Sequence, residues 1–242
     1  MFKHIAMSTK EILENNEEFI DNTLDAVSEA EAQRKRIFQF ALIGIGVIAL
    51  LVGGFFFYRY NQEKTEQEAA LKLSRIRPFF DAGQMEAAIG GVAGTIRGEQ
   101  VVGLNAIAAQ YGSSESGRLS ALYAGSALAS LNRYSEAESM FDKASSASSD
   151  ITKMGGLAGL ASCKAQAGNS AEAAKLYEDA AVLGAKLGDE DRYRLFAAMH
   201  YEKAGNKDKA ITLYKSIAHS QEFSESINEA KAGIIRLGGT ID

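Results

Sequence analysis

The chain of 242 residues contains no tryptophan, one proline, one cysteine and three histidines. A single cysteine excludes an internal disulfide, and Cys163 has no second cysteine or clustered histidine beside it to bind a metal ion. We therefore expect Cys163 to be a buried, unreactive helix residue. The histidines are scattered, and the chain lacks nucleophile, phosphate-loop, zinc-protease and dinucleotide motifs. These absences predict a protein that is not an enzyme and has no metal or cofactor.

The scarcity of proline and the abundance of alanine, glutamate, lysine and leucine favour helices over strands. The formal net charge is only −5. Eight acids and five bases lie up to Tyr58, and the rest of the chain has 23 acids and 21 bases. Because neither part is basic, no surface for nucleic acid is expected. The composition predicts an all-α fold.

One apolar run, from Ile37 to Tyr58, reads IFQFALIGIGVIALLVGGFFFY and carries no charge. As a helix it would extend about 33 Å, enough to cross a hydrocarbon core of about 30 Å. The aromatic residues that end it are typical of a membrane interface. The run is too long for a signal peptide, and no cleavage site follows it. We predict an uncleaved transmembrane helix over residues 37–58, in contact with membrane lipid. A buried core helix is the alternative.

The charges beside this run indicate its orientation. Arg34, Lys35 and Arg36 precede it, whereas Arg59 alone follows among the first five residues. The positive-inside rule then places the N-terminus in the cytoplasm, although a wider window reduces this difference.

Small residues at Gly46, Ala49 and Gly53 form a second pattern within the run. Such residues let two membrane helices approach closely. There are two alternatives: the chain forms a homo-oligomer through these residues, or its transmembrane helix has no helix partner.

Residues 1–36 form an acidic tail before the membrane helix. Its apolar residues recur at helical spacing, at Ile12, Leu13, Phe19, Ile20, Leu24 and Val27, and acids fill the gaps. A helix that lies on anionic lipid would carry lysine and arginine on its polar face instead. We expect an amphipathic cytoplasmic helix that is either solvated or docked on a cytoplasmic protein.

Residues 59–82 continue as a charged helix, which we interpret as a stalk. Pro78 is expected to break or kink this helix, because proline lacks the amide hydrogen and clashes with the preceding turn. A repeat domain follows over residues 83–242, and its first, faint copy begins at Gly83.

Three clearer copies share one pattern of a small residue, an aromatic residue four positions later and a third residue three positions after that. The copies are Ala137, Phe141 and Ala144; Ala173, Tyr177 and Ala180; and Ala210, Tyr214 and Ile217. The leading alanines are 36 and 37 residues apart. A turn former precedes each alanine by five residues, at Asn132, Gly168 and Gly205, and small residues lie earlier, at Gly125, Ala161 and Ala198.

This pattern predicts helical hairpins. Small residues allow the two helices to approach, the aromatic residue fills the space to the next hairpin, and glycine or asparagine permits a left-handed turn. One hairpin cannot bury its own apolar face, so the copies must stack. The segment from Ser224 to Gly238 is expected to cap the stack as a helix.

The small–aromatic–small positions resemble the tetratricopeptide repeat. The usual period is about 34 residues, so the units here are slightly longer, and the proline that ends each repeat is missing. The whole layout resembles membrane-anchored periplasmic repeat proteins, including the translocon-accessory (YfgM-like) family. This resemblance implies a transmembrane helix followed by a tetratricopeptide-like solenoid, in the bacterial inner membrane with a periplasmic repeat domain. It also implies contact with the secretion translocon or its clients.

In tetratricopeptide domains the first helix of each hairpin lines a concave groove that binds protein segments. The resemblance assigns to this groove Leu119, Leu122, Ser126, Ala158, Ser162, Arg192, Leu195, Phe196 and Met199. The lining is apolar and small with one positive residue, which suits a hydrophobic peptide or a partner helix. The alternative is that the capping helix covers the groove. The expected function is a protein-binding scaffold or chaperone-like adaptor; the alternative is a structural accessory subunit of a stable inner-membrane complex.

Overall fold

A computed structural model of the chain describes residues 9–96, 98–220 and 226–241. Helices dominate these residues, so the fold is all-α apart from one small pair of strands. The elements are α1 (Thr9–Asp81), α2 (Met85–Gly90), β1 (Gly91–Ile96), β2 (Glu99–Val102), α3 (Leu104–Gln110), α4 (Glu115–Ser130), α5 (Tyr134–Ser145), α6 (Asp150–Gln166), α7 (Ser170–Gly184), α8 (Glu190–Lys203), α9 (Lys207–Ala218) and α10 (Ser226–Arg236). The chain divides into two units, Met1–Asn61 and Gln62–Asp242.

The first unit contains a helix that is long and apolar enough to cross a membrane. Its most apolar window has a mean hydropathy of 2.6, and none of that window is buried. Leu50, for example, is 78% exposed and Phe57 is 74% exposed. A continuous apolar surface of this kind is unfavourable in water. The exposure argues against the alternative of a buried core helix.

The acidic tail is helical where it is described, and its apolar residues Phe19, Ile20, Leu24 and Val27 are exposed. The start of the tail, residues 1–8, lies outside the described residues, and so do the side chains of Ile12 and Leu13. The described tail therefore presents apolar side chains that no described residue covers.

The segment interpreted as a stalk differs from the expectation, because its later part belongs to a core. Ala69, Leu73 and Ile76 of α1 are buried in one cluster with Leu104 and Ile107 of α3. Their three- and four-residue spacing places them on one helix face. The second unit thus begins at Gln62 and includes the last turns of α1.

Pro78 does not end α1 where it occurs, since the helix continues to Asp81. Proline removes one amide donor and disturbs the turn before it, but its carbonyl can still accept a hydrogen bond. The amide of Ala82 donates to the Pro78 carbonyl at 3.0 Å. A proline this close to a helix end therefore allows the final turn to form.

A small antiparallel sheet, which the sequence did not predict, separates α2 from α3. Gly91 pairs with Val102 and Ile96 pairs with Glu99, with a register shift between Val92 and Thr95. The segment beginning at Val101 starts in β2 and continues as α3. The strands are short, so their sequence carries little periodicity.

Helices α4 to α10 pack in chain order, each against the next. In addition, α4 contacts α6, and α8 contacts α10. The predicted turn formers all adopt left-handed backbone conformations, with φ of 61° at Asn132, 84° at Gly168 and 78° at Gly205. The predicted left-handed turns are therefore confirmed.

The nine residues of the three aligned copies are all buried, with at most 9% of any residue exposed. The small residues of the preceding helices, Gly125, Ala161 and Ala198, are buried as well. Cys163 is also buried, and burial raises the pKa of its thiol. The expected burial of these positions is confirmed.

Candidate protein-binding surface

The nine predicted groove residues lie on three helices and are half-buried or exposed. Leu119, Leu122 and Ser126 are on α4, Ala158 and Ser162 on α6, and Arg192, Leu195, Phe196 and Met199 on α8. Since α4 contacts α6, the first two sets lie on neighbouring helices.

Three of the predicted leucines also help to hold the helices together. Leu119 packs against the cluster around Leu104, and Leu122 packs against two clusters that include Phe141 and Ala144. Leu195 packs against the cluster around Tyr214. These side chains therefore contribute to the core as well as to the surface.

The aromatic residue of the first copy lies between two glycines on successive first helices. A Cβ added at Gly125 of α4 would lie 2.7 Å from Cδ1 of Phe141, and one added at Gly159 of α6 would lie 2.3 Å from the same atom. Tyr214 of the third copy has a similar neighbour, because a Cβ at Gly233 of α10 would lie 2.5 Å from its Cε2. At these two junctions the absence of a side chain lets the ring contact the next helix directly.

The second copy is different, because its aromatic residue faces other rings. Tyr177 of α7 has ring centroids 5.4 Å from Phe196, 5.4 Å from His200 and 6.5 Å from Tyr193, all on α8. A pocket of about 350 Å³ lies here, lined by Tyr177, Phe196, Met199, His200 and Lys203. The structure thus places two predicted groove residues, Phe196 and Met199, in one pocket.

Cations flank the exposed part of α8. The Arg192 guanidinium lies 5.5 Å from the Tyr193 ring centroid and 6.0 Å from that of Phe196. Its Nη1 is 3.7 Å from Oδ1 of Asp189, an exposed pair that contributes little stability. Lys203 forms no ion pair with any described residue. Among the residues that line the pocket, Lys203 therefore carries the one fixed charge.

His200 adds no fixed charge at neutral pH. Burial lowers the pKa of His200, and the nearby Lys203 ammonium lowers it further. The ordinary histidine pKa is already below 7, so the imidazole is neutral there. It stacks on Tyr177 with an angle of 18° between the rings and contributes a flat, largely apolar wall.

The C-terminal helix α10 packs mainly on α8 and α9. Arg236 donates to Glu202 from Nε at 2.6 Å and from Nη2 at 2.8 Å, and the Tyr214 hydroxyl donates to the same carboxylate at 2.8 Å. The hydrogen bonds from Arg236 and Tyr214 lower the pKa of Glu202 despite its partial burial.

The C-terminal helix therefore matches the predicted cap, although its expected start at Ser224 lies outside the described residues. Ala230 and Ile234 of this helix belong to the buried cluster against which Leu195 packs. The capping helix over the groove stays an alternative, and among the nine groove residues Leu195 is the one whose packing cluster contains residues of α10.

A second, more polar pocket of about 560 Å³ lies among α5, α6 and α7. Its Lys164 is paired at 2.8 Å with Glu138 and at 3.5 Å with Glu172. These pairs neutralise the lysine of the lining, and since Asp142 also lines the pocket, its three acids outnumber its one base. Within the described ranges no three acidic, histidine or cysteine side chains lie together in a way that could hold a metal ion.

Comparison of the chain with protein-family models, curated proteins and solved structures found no match.

Proposed function

We propose that this is a single-pass membrane protein whose second unit is a tetratricopeptide-like solenoid that binds other proteins. The observation that carries the proposal is the threefold recurrence of left-handed turns at Asn132, Gly168 and Gly205, each followed by a buried small–aromatic pair. Stacked hairpins of this kind form extended surfaces and lack the enclosed cleft of an enzyme.

The role we assign is that of a scaffold or chaperone-like adaptor, with partners among translocon components or their clients. The surface of α4, α6 and α8 combines apolar residues such as Phe196 and Met199 with small residues such as Ser162. A partner segment can approach the backbone closely at small residues and insert side chains between the larger ones.

The location we assign is the bacterial inner membrane, with residues 37–58 as the anchor and the second unit in the periplasm. Support comes from the exposed apolar helix and from Arg34, Lys35 and Arg36 on its N-terminal side. Protease added to spheroplasts is expected to digest the second unit. Protection until the membrane is lysed would place the unit in the cytoplasm.

The binding role can be tested by purifying the tagged full chain from membranes in mild detergent. We expect co-purifying proteins to be lost from a Ser126→Glu, Ser162→Glu double variant, because both substitutions put charge on the proposed surface. They should be retained by the control Lys175→Glu, which changes an exposed residue of α7. Equal recovery with all three chains would contradict the proposal.

A second candidate, a structural subunit of a stable complex, is favoured by the glycines of the membrane helix. A Cβ added at Gly46 or Gly53 would meet nothing within 4 Å. Glycine costs a helix about 1 kcal/mol relative to alanine, and a second membrane helix that packs there would offset this cost. A subunit should co-purify in a fixed ratio with the same partners, whereas an adaptor should carry varied partners in smaller amounts.

A further inference from the structure

The pocket on α8 lies beside a large residue, Phe196, at a position that is glycine after the first and third copies. Gly159 of α6, Phe196 of α8 and Gly233 of α10 are successively 37 residues apart. Each of these three residues lies on the helix that comes directly after the helix carrying the aromatic residue of one copy. The three positions are therefore equivalent in the stack. The two glycines contact Phe141 and Tyr214 closely, whereas Phe196 presents a ring to Tyr177.

The junctions with glycine also differ from the junction with Phe196 in how closely the helices on either side approach each other. Where glycine is present, the ring of the preceding copy fills the junction. At these two junctions α4 contacts α6, and α8 contacts α10. The pair α6 and α8 has less contact than either of these pairs. Beside the paired rings of Phe196 and Tyr177 lies the pocket of about 350 Å³, which is lined by residues of α7 and α8.

The pocket is suited to a single side chain. Its volume lies at the lower end of the range for small-molecule sites, which is about 300–1,000 Å³. Aromatic rings form much of its lining, and Met199, 41% exposed, adds a flexible thioether that adapts to different shapes. An aromatic or branched aliphatic side chain would bury most of its surface here.

The charges around the pocket indicate what should accompany that side chain. Lys203 lines the pocket and has no ion pair with a described residue, while the ion pair that Arg192 forms with Asp189 is exposed and long. The nearby carboxylate of Glu202 is already bound by Arg236 and Tyr214. A ligand with negative charge beside its apolar group would therefore complement the rim.

We propose that this pocket holds one aromatic or branched aliphatic side chain of a partner protein, with an acidic residue next to it in the partner sequence facing Lys203. The inference rests on the proposed protein-binding function and defines the sequence that the surface selects. The remaining groove residues contact the partner on either side of this anchor.

The test uses the full chain in lipid nanodiscs and a phage-displayed library of random dodecapeptides. Enriched peptides are expected to share an aromatic or branched residue beside aspartate or glutamate. Met199→Glu and Lys203→Glu change exposed side chains and so leave the fold intact. Each should weaken binding of the selected peptides by at least about tenfold, because a like charge then faces the acidic residue. Lys203→Glu should also bind a lysine-flanked version of the peptide more tightly than the parent does.

Two matched controls separate the pocket from a general effect of charge. Ile235→Glu places an acid on an exposed apolar residue of α10, and Lys231→Glu reverses an exposed lysine of the same helix. Both should bind the selected peptides as tightly as the parent.

The proposal is overturned if no peptide is enriched, if the enriched peptides lack an apolar residue, or if they bind the Met199 and Lys203 variants as tightly as the parent. Peptides that lose binding to Ser126→Glu but not to either pocket variant would leave the protein-binding function standing and remove only the pocket. Labelling of the pocket by a photoreactive phospholipid in the nanodisc, in place of peptide binding, would identify a lipid site and also overturn it.

Discussion

Gly159→Ala tests whether Phe141 is held between two helices with no spare room. A Cβ at residue 159 would lie 2.3 Å from Cδ1, 2.4 Å from Cε1 and 2.5 Å from Cγ of Phe141. The ring has little room to retreat, because Gly125 of α4 also approaches it so closely that a Cβ there would lie 2.7 Å from Cδ1. The added methyl group must therefore displace a helix or force the ring from its rotamer.

Two opposing effects set the magnitude. Overpacking of a core costs about 1–3 kcal/mol, whereas replacing a helical glycine by alanine gains about 1 kcal/mol. Since the ring is confined on both sides, we expect the upper part of the cost and a net loss of about 1–2 kcal/mol. For a unit of this size that lowers Tm by about 2–8 °C. The assay is thermal unfolding of the full chain in mild detergent, followed by circular dichroism.

Gly155→Ala on the same helix is the matched control. A Cβ there would lie 3.0 Å from Cδ2 of Leu122, the end of a flexible, half-buried side chain that can move. We expect this variant to be as stable as the parent or more stable by up to about 1 kcal/mol.

A double-mutant cycle with Phe141→Leu then isolates the contact. In the Phe141→Leu background, Gly159→Ala should no longer destabilise the protein, which gives a coupling of about 1–2 kcal/mol. Additive effects of the two substitutions, or a Gly159→Ala protein as stable as the Gly155→Ala control, would refute the packing argument.

Three further predictions follow from individual contacts. Ala173→Asp should destabilise the second unit by several kcal/mol, because Ala173 is fully buried and the new charge has no partner. The control is Glu172→Ala, which changes a half-exposed neighbouring residue and should alter the free energy of unfolding by less than about 0.5 kcal/mol. Arg236→Met should reduce the free energy of unfolding least in acid. The pKa of Glu202 is lowered in the folded protein, so the stability from this pair is present above the unfolded pKa of about 4.3. That stability is lost as the pH falls through the folded pKa. Denaturation curves of parent and variant should therefore differ at pH 7 and converge in strong acid. The full chain should remain in the membrane pellet after an alkaline wash because of residues 37–58, and its release without proteolysis would contradict an anchor.

The sequence predicts the hairpin region well, because the same local pattern recurs three times. Each copy combines a turn former with a small residue and an aromatic residue at helical spacing, and all of these features have a direct physical reason. Burial of Tyr177 and Tyr214 and the positive φ of Asn132 follow from such patterns.

The region between Gln62 and Leu104 is less predictable, because its structure depends on contacts distant in sequence. Ala69 and Ile76 look like apolar positions of a charged stalk, and packing against residues distant in sequence, among them Leu104 of α3, makes them core residues. Glu66 illustrates the same point: its carboxylate accepts hydrogen bonds from the amide and hydroxyl of Ser116 at the start of α4. Such partners leave no local signal.

The pocket was only partly predictable. Phe196 and Met199 follow from the alignment of the first helices, but Tyr177, His200 and Lys203 were not assigned to the surface. Lys203 lies four residues after Met199, a spacing that would have placed it on the same helix face. The contrast between Phe196 and the glycines at Gly159 and Gly233 could also have been predicted from the 37-residue period, whereas the pocket beside the ring depends on how α7 and α8 pack.

The most direct test of the central claim, that one face of the stacked hairpins binds partner proteins, is photo-cross-linking in intact cells. A photoreactive phenylalanine analogue is placed in turn at exposed or half-buried positions of α8, and the yield of protein adducts is measured at each. The account predicts high yields at Arg192, Phe196, Met199 and Lys203, which recur at intervals of three and four residues on one helix face, and low yields at Arg194. Yields that are uniform along α8, or highest at Arg194, would contradict it.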